Sequence, residues 1–258
     1  MSAFLWLIFL AYASLVSTTD LNTSLVSTTD LNTNDYTSSL KVRRIFLLAG
    51  QSNMSRRGGV INNTWDGVIP LMSQSKPFKI LRLSAGLTWV EAKEPLHQDI
   101  DVNATCGVGP GMVWMGTKIS EWGRGTYLYN QLESRAKAAA SFQDGGVSRI
   151  RALLWYQGES DTITPQDAKL YKKRVEKFFS NVRTDLKLPA LPIIQVALAS
   201  GQGPYVDKVR KAQFKVHLPK VTSIDAKGLP MNPDNLHLST VAQVQLGEMF
   251  TKSFASIR

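Results

Sequence analysis

The stretch RIFLLAGQSNM, residues 44–54, decides the fold of this chain. Residues 45–49 are all apolar, and the absence of polar alternation predicts a strand buried on both faces, as in a parallel sheet. Gly50 ends this strand. Ligands of open α/β sheets bind beyond the carboxyl ends of the strands, where the next helix points its N-terminus. Ser52 is therefore a candidate nucleophile, although a Gly-Gln-Ser-Asn sequence by itself is more often a turn or a helix cap.

A second candidate group lies near the C-terminus, in the sequence NPDNLHLS at residues 232–239. Asp234 precedes His237 by three residues, in a loop that enters a predicted helix. A carboxylate at this spacing can bond Nδ1 of the ring and leave Nε2 to face a hydroxyl. The chain has only three histidines. His217 is predicted to end a surface helix, whereas His97, in the predicted surface loop, competes with His237 as the candidate base.

A third group follows another apolar strand, in the sequence LLWYQGESD at residues 153–161. The strand again ends in a glycine turn that carries polar side chains, which predicts a second loop at the same edge of the sheet. Gln157 and Glu159 are the candidate site residues of this loop. Glu159 is the rival of Asp234 as the carboxylate that orients the histidine, and bracing of the Gln157 loop is the alternative role.

Four sequence blocks occur in a fixed order along the chain, namely GQSNM, GTKISEW, WYQGESD and DNLH, which begin at residues 50, 116, 155 and 234. Together they resemble the plant carbohydrate esterases of the sialate O-acetylesterase-like (SASA) family, within the SGNH hydrolase superfamily. The resemblance extends from Val42 to the C-terminus. It implies a carboxylic ester hydrolase (EC 3.1.1.-) that removes acetyl groups from carbohydrate.

The resemblance also implies the site residues. Ser52 would attack the ester, His237 would be the base, and Asp234 would hold the ring. The oxyanion donors would be the backbone N–H groups of Ser52 and Gly116 and the side-chain amide of Gln157. The alternative for Gln157 is a structural one, in which its side chain ties two loops together.

Strands and helices alternate over most of the remaining chain. Strands are predicted at 80–83, 150–156, 191–198 and 221–225, and helices at 128–142, 165–186, 205–218 and 240–253. This alternation is typical of a three-layer α/β/α sandwich with a mostly parallel sheet. The resemblance implies the flavodoxin-like version found in SGNH hydrolases.

The segment at residues 107–122 departs from the resembled family, in which a helix and a core strand separate Gly-Pro-Gly-Met from a Gly-Gly-Thr turn. Here Gly116 follows residues 112–115 directly, so part of a helix and a strand is missing before it. A parallel strand needs a crossover of about a dozen residues or more. Either residues 112–115 form a very short strand, or the sheet lacks a central strand.

The N-terminal 40 residues are predicted to lie outside the catalytic domain. Residues 4–13 are wholly apolar and too few to span a bilayer, which predicts a signal peptide over residues 1–13 and a secreted protein without a stable membrane anchor. Residues 14–23 recur unchanged as residues 24–33. Their polar composition predicts a flexible linker over residues 14–40, so that the esterase domain covers residues 41–258.

Charge and composition limit the partners. The chain of 258 residues carries a formal net charge of +10, but its basic residues are scattered, which disfavours nucleic acid and favours a solvated basic face or retention on acidic polysaccharide. The single Cys106 excludes an internal disulfide. His and Cys pairs at ligand spacing are absent, so no metal or cofactor is expected.

Three functional hypotheses follow. The first is a secreted serine esterase that deacetylates a cell-wall polysaccharide or a small glycoside. The second is an impaired relative that binds glycan or has no activity, because the oxyanion region before Gly116 is truncated. The third is a nucleotide or phosphate binder at the Gly50 turn, which is disfavoured because neither a glycine-rich phosphate loop nor a Walker-type lysine follows. The oligomeric state is not predicted.

Overall fold

A seven-stranded sheet with helices on both faces forms the centre of the protein. This computed structural model describes residues 15–19, 41–55, 57–71, 80–96, 98–100, 107, 117–141 and 146–257. Its strands are β1 (Leu15–Thr19), β2 (Lys41–Gly50), β3 (Val60–Ile61), β4 (Thr64–Trp65), β5 (Ile80–Leu83), β6 (Trp89–Glu91), β7 (Gly146–Tyr156), β8 (Ile193–Ala197) and β9 (Val221–Asp225). Its α-helices are α1 (Ser52–Ser55), α2 (Tyr127–Ser141), α3 (Pro165–Asp185), α4 (Val206–Phe214) and α5 (Thr240–Ser256). Two 3-10 helices cover Ile119–Trp122 and Glu159–Thr162.

The sheet has the strand order β6-β5-β1-β2-β7-β8-β9, and β3 and β4 form a separate hairpin. Neighbours among β2, β7, β8 and β9 pair in parallel. The carboxyl ends of these four strands therefore meet at one edge of the sheet, where their loops can build a common site. The β5 and β6 strands extend the sheet at the other end as an antiparallel pair.

Helices cover the two faces of the sheet. Phe46 on β2 packs against Phe254 on α5, with ring centroids 5.0 Å apart. Ala49, three residues along β2, points to the opposite face and pairs in register with Trp155 of β7. Trp155 packs against Phe178 of α3, with ring centroids 4.5 Å apart. Because α5 and α3 lie on opposite faces, the predicted three-layer α/β/α sandwich with a mostly parallel sheet is confirmed.

The predicted elements after residue 117 agree with the structure in order and type. The strand β9 has the predicted bounds, and β8 and α3 differ from them by a few residues. The helix α4 ends at Phe214, four positions before the predicted end, because Pro219 disfavours helical geometry in the residue that precedes it. Local patterns in the sequence, namely apolar runs for strands and amphipathic periodicity for helices, thus predict these elements.

The first repeat copy departs from the expected linker. Residues 15–19 form β1, which pairs antiparallel with β2 and with β5. The expectation rested on the low apolar content of the repeat, but a strand between two others is held by backbone hydrogen bonds, which any sequence can supply. Four of the five residues are Val, Ser or Thr, and β-branched side chains suit a pleated strand. Residues 15–19 therefore belong to the sheet.

The position of β1 in the sheet is relevant to the helix and strand that are predicted to be missing before Gly116. β1 lies directly beside β2, on the side away from β7. Residues 108–116 lie outside the described residues, so the choice between a very short strand at 112–115 and a missing central strand stays open. The edge of β2 that a further parallel strand would cover is thus covered by an antiparallel strand from the N-terminal repeat.

The segments expected to direct the chain to the cell exterior are not described. The predicted signal peptide, residues 1–13, and most of the predicted linker lie outside the described residues. In the ranges that the structure describes, no helix combines the length and the apolar character needed to cross a membrane.

Ser17→Pro is expected to lower the thermal stability of the full chain. Proline in a strand that is paired on both sides removes a ladder N–H group. The strand acceptor that loses this bond is left without a partner, which lowers the free energy of unfolding by about 1–3 kcal/mol. Tm should therefore fall by roughly 2–12 °C for a domain of this size. Thermal melts followed by circular dichroism measure the shift.

The second repeat copy supplies a matched control, because Ser27 stands in the same ten-residue sequence as Ser17. Ser27→Pro should leave Tm unchanged. Equal shifts for the two variants, or no shift for either, would contradict the placement of the first copy beside β2.

Candidate active site

The β2 strand delivers Ser52 to the carboxyl edge of the sheet through a tight turn. The N–H of Gln51 donates to the carbonyl oxygen of Tyr156, at the end of β7, over 2.9 Å. A Cβ atom on Gly50 would lie 1.9 Å from that same oxygen, so only glycine allows the two strand ends to approach this closely. Ser52 begins α1 and is 4% exposed.

The loop between β9 and α5 delivers His237 to the same edge. Its backbone closes on itself, because the N–H of Asn232 donates to the carbonyl oxygen of His237 at 2.7 Å and that of Ser239 donates to Pro230 at 3.0 Å. The Ser239 side chain then caps α5 by accepting from the N–H of Ala242. The histidine therefore sits on a closed loop that is anchored to a helix.

Ser52, His237 and Asp234 form a continuous chain of hydrogen bonds. Nε2 of His237 lies 2.9 Å from Oγ of Ser52. Nδ1 of the ring lies 2.6 Å from Oδ2 of Asp234. The other oxygen of Asp234 accepts from the N–H groups of Leu236 and His237. The arrangement places the predicted base within hydrogen-bonding reach of the predicted nucleophile, with its second nitrogen held by the predicted carboxylate.

The pKa values of the pair suit a proton acceptor beside an anion. Burial lowers the pKa of His237 below its ordinary value, Asp234 opposes this effect, and the positive charge of Arg57 adds to it. Partial burial pushes the pKa of Asp234 upward, but the hydrogen bonds from the His237 ring and from two backbone N–H groups leave it below its ordinary value. At neutral pH the site therefore holds a neutral imidazole beside a carboxylate.

The other two histidines differ in position. His217 is exposed and precedes the first residue of β9, at the end of the sheet opposite to Ser52. His97 lies outside the described residues, so its role as a competing base stays a prediction. Gly116 and Cys106 also lie outside the described residues.

Gln157 uses its side-chain amide inside the protein. Nε2 donates to the carbonyl oxygen of Thr117 at 2.8 Å and to Oδ2 of Asp161 at 2.7 Å. Burial raises the pKa of Asp161 to about 6, and the hydrogen bond from Gln157 opposes that rise. An amide nitrogen has two protons, so these two acceptors occupy it fully. These contacts are those expected of a residue that ties loops together.

The backbone N–H of Ser52 stands at the start of a helix, where such groups have no partner within the helix. Within the described part of the chain it donates to no carbonyl oxygen. The group lies at the helix start directly beside the Ser52 side chain. A metal site is not apparent among the described residues, where no three His, Cys, Asp or Glu side chains cluster.

Glu159 lies beneath the site and not beside His237. Its Oε1 accepts from Nδ2 of Asn53 at 2.9 Å, and the residue is fully buried. Burial raises the pKa of Glu159 to about 7, although the Asn53 hydrogen bond opposes the rise. The carboxylate on the His237 ring is that of Asp234.

Two residues of the site went unassigned in the sequence analysis. Asn53 and Asp161 are both fully buried and hydrogen-bonded to other site residues. Each stands inside one of the four sequence blocks, next to or near an assigned residue. Their position inside those blocks could have marked Asn53 and Asp161 as site residues. It does not indicate which atoms each side chain contacts.

An open depression lies in the surface beside Thr117. It has a volume of about 580 Å³ and is lined by Thr117, Ser120, Glu121, Thr126, Tyr127 and Leu128. The carbonyl oxygen of Thr117 is the one that accepts from Gln157. The Tyr127 side chain is prominent in this depression, and the residue is 63% exposed.

A family model and a similar plant protein show the family of this chain. The family model described as carbohydrate esterase, sialic acid-specific acetylesterase, matches residues 42–115 and 113–256. The two matched segments meet where the sequence predicts a missing helix and strand. A probable carbohydrate esterase of Arabidopsis thaliana is 46% identical in an alignment 247 residues long, and the match covers 85% of this chain and 93% of that protein.

Solved structures agree with this result. The X-ray structure of an Arabidopsis thaliana protein at 1.6 Å resolution is 44% identical and superposes with a TM-score of 0.76, covering 83% of this chain and 99% of that one. The crystal structure of NanS shares the fold, with a TM-score of 0.53 at 16% identity over 83% of this chain and 96% of that one. Since the family model matches most of its length and the Arabidopsis relative is nearly half identical, this chain belongs to the carbohydrate esterase family of sialic acid-specific acetylesterases.

Proposed function

We propose that this protein is a serine esterase that removes acetyl groups from O-acetylated carbohydrate by means of Ser52, His237 and Asp234. Its family membership supports an esterase that acts on acetylated carbohydrates. The observation that carries the catalytic assignment is the distance of 2.9 Å between Nε2 of His237 and Oγ of Ser52. A serine hydroxyl is a weak nucleophile until a neighbouring base takes its proton.

The acylation step uses these groups in sequence. Oγ of Ser52 attacks the acetyl carbonyl carbon while Nε2 of His237 takes the hydroxyl proton. The resulting imidazolium is stabilised by Asp234 at 2.6 Å. Collapse of the tetrahedral intermediate breaks the bond to the sugar oxygen, which receives the proton from Nε2, and leaves an acetyl group on Ser52.

Deacylation repeats the same chemistry with water. His237 takes a proton from water, whose oxygen attacks the acetyl carbonyl carbon, and returns the proton to Oγ of Ser52. The products are acetate and the free serine. Asp234 keeps its charge through both steps, because its pKa lies below its ordinary value.

The backbone N–H of Ser52 is the first donor proposed for the oxyanion. The N–H of Gly116 is proposed as the second, from the resemblance alone. Gln157 would contribute only after releasing Thr117 or Asp161, since both protons of its amide are used. Each oxyanion donor is typically worth about 100- to 1,000-fold in kcat, so the number of working donors sets the rate.

We also propose that the substrate is a cell-wall glycan and that the protein is secreted. The exposed Tyr127 offers an apolar face to a sugar ring in the depression beside Thr117. The net charge of +10 favours an acidic cell-wall polysaccharide as the surface on which a secreted form would be held. The apolar segment at residues 4–13 supports secretion.

A second candidate, an impaired relative that binds glycan without cleaving it, is favoured by one observation. The Gln157 amide, which the resemblance assigns to the oxyanion, is committed to two internal acceptors. Such a protein would keep Ser52 next to His237 and still turn over slowly. Substitution of Ser52 separates the two candidates.

Ser52→Ala and His237→Ala are each expected to lower kcat for hydrolysis of an aryl acetate by three decades or more, because either change removes the nucleophile or its base. Ser52→Ala should also abolish covalent labelling by a fluorophosphonate. Steady-state kinetics and gel-based labelling of the purified full chain measure the two effects.

His217→Ala is the matched control, since it removes an exposed histidine at the other end of the sheet and should keep kcat within about twofold. Wild-type hydrolysis that persists in Ser52→Ala would exclude the serine mechanism. A folded wild-type protein with neither hydrolysis nor labelling would favour the impaired relative.

The pH dependence of kcat/KM should follow His237. Because only the neutral ring accepts a proton, activity should rise with pH and reach half its maximum below about pH 6.5, the ordinary pKa of histidine, since burial lowers this pKa. Arg57→Gln removes a positive charge that contributes to the lowering, so its half-maximal pH should be higher. A midpoint above 7 in the wild type would contradict this assignment of the base.

A further inference from the structure

Asn53, the residue after the proposed nucleophile, uses its side-chain amide and its backbone carbonyl oxygen for hydrogen bonds inside the protein. It is fully buried. Its own carbonyl oxygen accepts from Nε2 of Gln243 on α5, at 3.0 Å. The side-chain amide makes three further bonds, two through Nδ2 and one through Oδ1. A side chain with no open donor or acceptor cannot contact substrate, so its role must be exerted through its partners.

Two of the partners are the backbone groups on either side of His237. Nδ2 of Asn53 donates to the carbonyl oxygen of Leu236 at 3.0 Å, and its Oδ1 accepts from the N–H of Leu238 at 2.8 Å. One amide thus binds an acceptor and a donor that bracket the histidine, as a neighbouring strand would. Since the same residue follows Ser52 directly, the position of the base is fixed relative to the nucleophile.

The third partner is Glu159. Its Oε1 accepts the second Nδ2 proton of Asn53 at 2.9 Å. Its other oxygen lies 3.2 Å from the amide nitrogen of Gln51, in the amide orientation that satisfies its neighbours. The carboxylate therefore orients the Asn53 amide, so that Nδ2 and not Oδ1 faces Leu236.

We propose that Asn53, oriented by Glu159, is a positioning residue that sets the distance between Oγ of Ser52 and Nε2 of His237. The proposal rests on the proposed function, since it requires that Ser52 and His237 react together. Asn53 touches neither the substrate nor the reacting atoms. Its effect is transmitted through the backbone of residues 236–238.

Three contacts support this role over a purely folding one. The Asn53 bonds go to Leu236 and Leu238, which flank the base, and to the carboxylate of Glu159. Other side chains also hold the His237 loop, because Nδ2 of Asn232 donates to the carbonyl oxygens of Arg57 and Val60. Oγ of Ser200 donates to the carbonyl oxygen of Leu236 at 2.6 Å. Loss of the Asn53 bonds would thus leave the loop in place but free its histidine from the serine.

The test reverses the direction of the hydrogen bond in which Asn53 donates to Glu159, by combining Asn53→Asp with Glu159→Gln. Asn53→Asp keeps the bond to the Leu238 N–H but turns a second oxygen toward Leu236 and Glu159, so kcat should fall roughly 100-fold, as a displacement of about 1 Å can cause. Glu159→Gln alone keeps an acceptor for Asn53 and should lose less. In the double variant the introduced glutamine can donate to the introduced aspartate, and kcat should recover about tenfold.

Gln195→Glu is the matched control. Gln195 is also a fully buried amide, whose nitrogen donates to the Gln213 carbonyl oxygen and to Ser223. Among the described residues its side chain makes no hydrogen bond to Ser52 or to residues 232–239. Its substitution should lower Tm without lowering kcat per folded molecule. KM, kcat, the fluorophosphonate labelling rate and Tm are measured for all variants and for Ser52→Ala.

The outcomes separate the two hypotheses. Loss of kcat in Asn53→Asp with KM nearly unchanged, and recovery in the double variant, supports the positioning role. Provided that Ser52→Ala is inactive, two results overturn the positioning role. One is wild-type kcat in folded Asn53→Asp. The other is an equal loss of kcat in Gln195→Glu and Asn53→Asp variants that have the same Tm. Wild-type activity in Ser52→Ala overturns the proposed function itself.

A second variant covers a failure to fold. If Asn53→Asp yields no folded protein, Asn53→Ala removes the same bonds without burying a charge. The expected result is again a fall in kcat of roughly 100-fold with little change in KM, and an unchanged kcat overturns the proposal.

Discussion

The parallel pairing of β2 with β7 is the constraint on which the site depends. The ladder runs in register from Lys41 and Gly146 to Gly50 and Tyr156, with one shift near Ile45. It brings the two strand ends so close that a side chain at Gly50 would meet the Tyr156 carbonyl oxygen. The polar turns that follow, with Ser52 on one strand and Gln157 on the other, therefore face each other across a fixed gap. A parallel ladder buried on both faces resists displacement, because slippage by one residue would exchange the side chains that pack against the helices on its two faces.

The third part of the site comes from the far end of the chain. His237 is 185 residues from Ser52, and its loop is attached to helix α1 through Asn53 and to the last helix through Ser239. The attachment uses backbone atoms of the loop, whose geometry does not depend on which apolar residues flank the histidine. The burial of the pair lowers the pKa of His237, so the contacts that position the ring also keep it neutral.

Local patterns in the sequence were sufficient for most of the fold. The apolar runs of β2 and β7, the amphipathic face of α3 and the spacing of Asp234 and His237 each involve residues close in the chain, and each predicted element was found. The strand β1 could not be predicted from its composition, because its ladder consists of backbone groups and its partners are distant in sequence. The use of the Gln157 amide depends on Thr117, 40 residues away. Contacts of that kind are set by tertiary structure, which one sequence does not show.

The exposure of Asp234 has a thermodynamic consequence. Its side chain is 47% exposed, so water solvates the carboxylate that holds the base, and the folded state avoids most of the several kcal/mol that burial of a charge costs. That cost falls instead on Glu159, which is fully buried and has a raised pKa of about 7. Assembly of the Asp234–His237 pair thus requires little desolvation of charge. The unfavourable burial of a carboxylate lies beneath the pair, at Glu159. Selection for higher stability would act first on this carboxylate, where each gain would loosen the support of the histidine.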